Sequence, residues 1–200
     1  MLSFDYHDGI VAGILLIGRL RGCSSIIKLL NVYGPYRDRE LFWDRLVGSG
    51  LLSHLGLLLM GDLNVTLSPT EVWGSMVWDP LMDYFNTLIR EAGLIDLHPI
   101  ELGPTWRNGR VSGRGISKRL DRFLMADPLT HVFHKYRVWH VNSLISDHLP
   151  ICLQLDMGVD RMVYPFKFNY HCMDLPDFQS LVRTFGLWIM ASLIGLRWIV

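Results

Sequence analysis

Apolar residues along this chain fall into short runs separated by turn formers rather than into one long periodic pattern. Ser25–Tyr33 (SIIKLLNVY) is β-favouring and stops at Gly34-Pro35, so it predicts a strand closed by a turn. Arg39–Ser53 predicts a helix whose mixed face carries Leu41, Phe42, Arg45 and Leu46. Leu55–Met60 is continuously apolar apart from Gly56, as in a strand buried on both faces. Pro80–Ala92 is the clearest helix: Asp79 is placed to cap it, Pro80 to begin it and Gly93 to end it. Leu81, Phe85, Leu88, Ile89 and Ala92 share its apolar face.

Downstream, Thr105–Met125 reads as a long loop followed by a strand, Arg119–Met125. Asp127-Pro128 opens a short helix through His134, and Pro150–Leu155 is a strand in which Ile151, Leu153 and Leu155 alternate with Cys152 and Gln154. Met157–Pro176 lacks any period and reads as a linker, and 177–200 as a helix without a partner. Short strands interspersed with helices, without a regular βαβ rhythm, predict an α/β sandwich rather than a doubly wound sheet.

Composition narrows the field. The 200 residues suit one domain, and with half of them apolar and 19% charged the chain is globular. Lys plus Arg equals Asp plus Glu, 19 each, so any basic footprint must be local. Cys23, Cys152 and Cys172 have no metal-ligand spacing and point to an intracellular protein without a disulfide framework. The uncharged runs Gly9–Gly18 and Thr184–Leu196 are both shorter than the ~20 residues that span a bilayer, so a soluble chain is expected. His131 and His134, three apart near a helix, have no further ligand nearby and read as surface residues.

Four segments carry candidate chemistry: Asn31-Val-Tyr-Gly-Pro35, Gly61-Asp-Leu-Asn64, Arg119-Leu-Asp-Arg-Phe123 and Ser146-Asp-His-Leu-Pro150. Asp62 and Asn64 end a buried strand two residues apart, which places a carboxylate and a carboxamide beside one reacting atom; alone, the segment also reads as an Asx-type turn. Asp147-His148 sets a metal-affine carboxylate beside a group that titrates near neutral pH. Asp121 sits among apolar neighbours and needs a partner, which a histidine would supply. From Trp106 to Phe123, Arg107, Arg110, Arg114, Lys118, Arg119 and Arg122 face one acid, forming a cationic loop suited to phosphate or, equally, a solvated surface.

In this order the segments resemble the endonuclease/exonuclease/phosphatase family. Thr105-Trp106 with Leu120-Asp-Arg-Phe-Leu124 is similar to the endonuclease domain of long-interspersed-element (LINE) retrotransposons. Gly61-Asp-Leu-Asn64, Ser68-Pro-Thr-Glu71 with Trp73-Gly74, and Pro165-Phe-Lys-Phe168 with Asp177-Phe178 resemble the plant members. The resemblance implies a deoxyribonuclease-I-like α/β fold, a two-sheet β-sandwich flanked by helices, and Mg²⁺- or Mn²⁺-dependent hydrolysis of DNA in the nucleus.

It further implies that Asp62 positions the attacking water, that Asn64 and Tyr33 hold the phosphate, and that Asp121 orients His148. His148 would stabilise or protonate the phosphoryl oxygen, Asp147 would bind or support the metal, and Arg107, Arg110, Arg114 and Lys118 would contact DNA. The family also places an Asn and a metal-binding Glu before the NxY segment, whereas residues 1–32 hold no glutamate and the first is Glu40. An N-terminally truncated domain over 25–156 is therefore expected, preceded by an unmatched 1–24 and followed by a linker and tail, 157–200. Such a chain would be weak or inactive. A non-catalytic remnant with residual nucleic-acid binding is the alternative, and phosphatases of inositol lipids or sphingomyelin, which lack the Thr-Trp and basic-loop context, are more distant.

Overall fold

The computed structural model describes residues 2–10, 13–20, 25–75, 77–110, 115–142, 145–157 and 197–199. In chain order the elements are β1 (Leu2–Ile10), β2 (Gly13–Leu20), β3 (Ile26–Val32), α1 (Arg39–Gly48), β4 (Leu57–Asp62), β5 (Val72–Trp73) and α2 (Met82–Glu91). There follow β6 (Leu94–Asp96), β7 (Trp106–Arg107), β8 (Ser117–Lys118), β9 (Asp121–Ala126), β10 (Lys135–His140), β11 (Ile151–Asp156) and β12 (Arg197–Ile199).

Six strands form the central sheet in the order β1-β2-β3-β4-β9-β6. Among the described strands only β3 and β4 pair in parallel, and α1 lies in the crossover between them. Alternation sorts side chains onto two faces. Leu30 and Val32 of β3, Leu57 and Leu59 of β4, and Leu124 of β9 join one core with Trp43 and Leu46 of α1 and Phe85, Leu88 and Ile89 of α2. Ile27, Leu29, Leu58, Met60, Phe123 and Met125 face the other way, onto Val138 of β10 and Ile151, Leu153 and Leu155 of β11. The layers are helices, a six-stranded sheet and the three-stranded sheet β10-β11-β12, so the fold is an α/β sandwich. A third sheet, β5-β8-β7, is built of two-residue strands at the site end.

Several elements depart from expectation. Helix α1 stops at Gly48 rather than Ser53, because Gly50 adopts φ 73° and Leu51–Ser53 form a separate 3-10 turn. Its buried residues are Trp43, packed 4.7 Å from the Phe85 ring, and Leu46; Leu41 is exposed. α2 begins at Met82 instead of Pro80: Asp79 does accept the Leu81 N–H (3.0 Å), but as a turn closed before the helix, and its carboxylate is also bound by Arg39. Gly93, at φ 62°, ends α2 where expected. The strand expected from Arg119 starts at Asp121, and the helix expected from Asp127 is a 3-10 turn ending at His131.

The linker after Met157 and most of the 177–200 helix lie outside the described residues, as do Cys23 and Cys172. Residues 197–199 are not helical: they pair with β11. Among the described residues no helix is long and apolar enough to cross a membrane.

Candidate active site

The ladder between β4 and β9 sets Asp62 directly opposite Asp121. In the alternation both lie on the face shared by Met60 and Phe123, toward the second sheet, and His148 arrives there on the loop before β11. Like charges opposite one another in a ladder repel, so the pair calls for a cation or a proton. His148 meets that need: Nδ1 lies 2.9 Å from Asp121 Oδ2, and Nε2 lies 3.8 Å from Asp62 Oδ2. The Asp121 hydrogen bond is the main cause that raises the His148 pKa above its ordinary value; burial opposes it, and Asp62 and Asp147 reinforce it. Burial, then Asp121, push the Asp62 carboxyl up, against the Asn64 N–H and His148.

Two glycines allow the backbone to build this corner. Gly61 sits at φ 122°, and a methyl there would collide with the Val32 carbonyl. A methyl on Gly34 would collide with the Leu63 carbonyl, because Gly34 N–H donates to Asp62 O (2.6 Å) where the chains cross. Beyond β4, Asn64 turns into the left-handed region at φ 55°. Asp62 Oδ1 accepts the Asn64 N–H (2.9 Å), so the Asx turn forms and also feeds the site. The two side chains therefore do not follow one strand face: Asn64 Nδ2 donates to Gly34 O (3.2 Å), and Arg39 Nη1 donates to Asn64 O (2.7 Å).

Thr105 joins the loops. Its Oγ1 accepts the N–H groups of both Leu120 and Asp121 at 3.0 Å, and its carbonyl accepts the Leu149 N–H at 2.7 Å. Next to it, Trp106 bridges to His148, and its indole N–H donates to Asp147 Oδ2 (2.9 Å). Asp147 is exposed, yet near enough to raise both Asp62 and His148. Tyr33 is 64% exposed beside the Gly34 crossing.

The basic loop divides. Arg107 and Arg110 are exposed and Lys118 is half-buried, while Arg114 lies outside the described residues. Arg119 and Arg122 are not loop cations at all, being 2% and 1% exposed. They form a buried quartet with Glu71 and Asp96: Arg119 reaches Glu71 at 2.7 Å and Asp96 at 2.7 and 2.8 Å, and Arg122 reaches Glu71 at 2.6 Å and Asp96 at 2.9 Å. This quartet, Arg39 and Thr105 are the site-building residues that sequence order hides.

The hard oxygen donors here suit Mg²⁺ or Mn²⁺ in kind. They do not suit it in number: among the described residues no three His, Cys, Asp or Glu side chains form a group that would hold a metal ion. What the arrangement supplies on its own is a carboxyl whose hold on a proton is strengthened beside an imidazole whose protonated form is favoured.

No family model matches the chain, and neither does any curated protein. Solved structures do. The chain is similar to the endonuclease domain of TRAS1, a telomere-specific non-LTR retrotransposon, at TM-score 0.55 and 21% identity, over 75% of this chain and 65% of that one. It is similar to the 3′ phosphatase NExo from Neisseria bound to a product DNA hairpin, at TM-score 0.55 and 18% identity, over 78% and 70%. A third likeness is to the AP endonuclease LMAP from Leishmania major, at TM-score 0.51 and 17% identity, over 72% and 54%. The chain thus spans about two thirds or less of the TRAS1 and LMAP chains, and it shares with them a deoxyribonuclease-I-like α/β-sandwich fold.

Proposed function

We propose that this chain is the later part of a phosphodiesterase domain acting on DNA, of the kind found in plant LINE-type retrotransposons. The observation that carries the reading is the contact of Asp62, Asp121 and His148 across three separate segments. The TRAS1, NExo and LMAP likenesses support nucleic-acid phosphoester chemistry, and the plant-like segments around Gly61–Trp73 support the narrower origin. Nuclear work on DNA is part of the same reading, with Mg²⁺ or Mn²⁺ as the cation and Asp147 as the residue that binds or supports it.

The protein's own residues would act as follows. A phosphate seated between Asn64 and His148 presents a non-bridging oxygen to the imidazolium N–H, held in orientation by Asp121. Asp62, with its raised pKa, takes the proton of a water attacking phosphorus, while the bond from phosphorus to the sugar oxygen on the opposite side breaks and that oxygen leaves, protonated by solvent. Tyr33 donates its hydroxyl to the phosphate, and Arg107, Arg110, Arg114 and Lys118 hold flanking phosphates. A second reading, a non-catalytic remnant that still binds nucleic acid, is favoured by the lack of a group of three metal-ligating side chains among the described residues.

Nicking of supercoiled plasmid in Mg²⁺ separates the two. The hydrolase reading expects slow nicking that drops about 10²–10⁴-fold in His148→Ala and in Asp62→Ala. Equal rates in wild type and both variants refute it and leave the remnant.

A further inference from the structure

On the face of the central sheet turned away from Asp62 and His148, helices α1 and α2 flank a groove of about 220 Å³. Asp44 and Val47 of α1 line one side, Tyr84, Leu88 and Glu91 of α2 the other, and Leu52 joins them. Residues three or four apart share a helix face, so Glu40, Asp44 and Val47 follow one another along α1, as Tyr84, Leu88 and Glu91 do along α2. Leu52 and Leu88 are buried, but Val47 is 47% exposed. The groove thus has an apolar floor and an apolar wall that the protein's own packing leaves in water.

Its charges have one sign. Asp44 and Glu91 are the charged residues that line it, and among the described residues neither has an ion-pair partner. Arg45 and Arg90 stand one position away in sequence, off the shared faces, and neither lines the groove. The Tyr84 hydroxyl donates to Asp44 Oδ1 at 2.7 Å, which ties the two helices together and fixes that carboxylate. Burial, this hydrogen bond and the charges of Asp44 and Glu40 push the Tyr84 pKa up, so the hydroxyl stays a donor.

An apolar floor between carboxylates complements lysine and arginine, whose aliphatic stems pack while their charged heads stay in water. It repels a phosphate backbone. Each flanking helix has 10 residues, about 15 Å, which is long enough to meet side chains at helical spacing on a docked helix. We propose that this groove docks a basic amphipathic helix of another protein. Lysine or arginine heads pair with Asp44 and Glu91, and aliphatic side chains pack on Val47, Leu52 and Leu88. The Asp62–His148 pair, on the other face of the sheet, stays uncovered by such a partner, and the docking does not depend on the hydrolase reading.

The test is fluorescence anisotropy of the full chain with a labelled leucine–lysine peptide whose leucines share one helical face. Two control peptides replace every leucine by serine or every lysine by glutamate. The leucine–lysine peptide is expected to bind at least about tenfold tighter than either control, because the groove needs both an apolar face and positive charge. Asp44→Asn with Glu91→Gln should weaken it about three- to tenfold, and Asp83→Asn, an acid of α2 outside the groove, less than about twofold. Val47→Ser should weaken it about threefold by removing apolar contact. Far-UV circular dichroism and the urea midpoint accompany each variant, and Glu91→Gln alone, free of the Tyr84 contact, carries the test if Asp44→Asn shifts the midpoint. No binding, equal binding of the three peptides, or equal losses in the groove variants and Asp83→Asn would each overturn the proposal. So would sedimentation showing that the chain self-associates through these same residues, which would make a second copy the occupant.

Discussion

Glu71→Gln would leave Arg119, Arg122 and Asp96 together under the β4–β9 end of the sheet, two positive charges against one negative. In the native protein the charges balance, and the Glu71 and Asp96 side chains are 3% and 8% exposed. Burial pushes the Glu71 carboxyl up, but hydrogen bonds from Arg122, Leu67 N–H and Arg119 outweigh it and hold the pKa below its ordinary value. Removing one member of a buried pair strands its partner, which costs about 3–5 kcal/mol. For a chain of this length each kcal/mol moves the melting temperature by about 2–4 °C, so Glu71→Gln should lower it by roughly 6–20 °C. Urea unfolding at pH 7 followed by tryptophan fluorescence measures the free energy directly.

A companion, Glu71→Gln with Arg119→Met, removes one charge of each sign and should recover part of the loss. Because the folded-state pKa is depressed, this stabilisation is present at neutral pH. It is lost as pH falls below the ordinary carboxylate range, about 4, toward the folded value. The single variant's deficit should therefore shrink in acid. A loss under about 1 kcal/mol at pH 7, the range of a surface pair, would refute the buried-quartet account.

Asp121→Asn removes the main cause of the raised His148 pKa, so the imidazole should titrate nearer its ordinary value of about 6.5 by NMR; an unchanged pKa would dismiss the contact. The native pair's stabilisation is full below that ordinary value and fades as pH rises through the folded pKa, so Asp121→Asn should cost most below about pH 6.5. Replacing Arg107, Arg110 and Arg114 with Ala should flatten the salt dependence of DNA binding, by about 0.9 in the log–log slope for each phosphate no longer neutralised, and an unchanged slope would make the loop a solvated surface. Gly61→Ala should cost at least about 2 kcal/mol in urea unfolding, since φ 122° is closed to a side chain and the methyl meets the Val32 carbonyl; a neutral result would mean the crossing relaxes freely.

Strands β3, β4 and β11 and the core face of α2 were legible because each is a compact apolar signal with its own punctuation. The first hairpin was not. The uncharged run Gly9–Gly18 spans the end of β1 and most of β2, and its connection, Val11-Ala12, carries no Gly, Asn or Asp signal. Two-residue strands such as β5, β7 and β8 are too short to show a period. Asp62, Asp121 and His148 could be picked out because each abuts a strand end, but the cross-strand register that opposes the two carboxylates belongs to the fold. Arg119 and Arg122 misled because local sequence shows only their neighbours. Their acids, Glu71 and Asp96, lie 23 to 51 residues away.

Thr105 is 4% exposed and holds three amides, two on the segment that carries Asp121 and one, Leu149, next to His148. None of those N–H groups can exchange its hydrogen with solvent until Thr105 lets go. Leu120, Asp121 and Leu149 should therefore exchange at one shared rate, as a single cooperative opening, although they belong to two segments with β10 between them. Whatever releases Thr105 as a whole frees the Asp121 and His148 segments together, so one buried threonine couples the seating of the carboxylate to that of the imidazole.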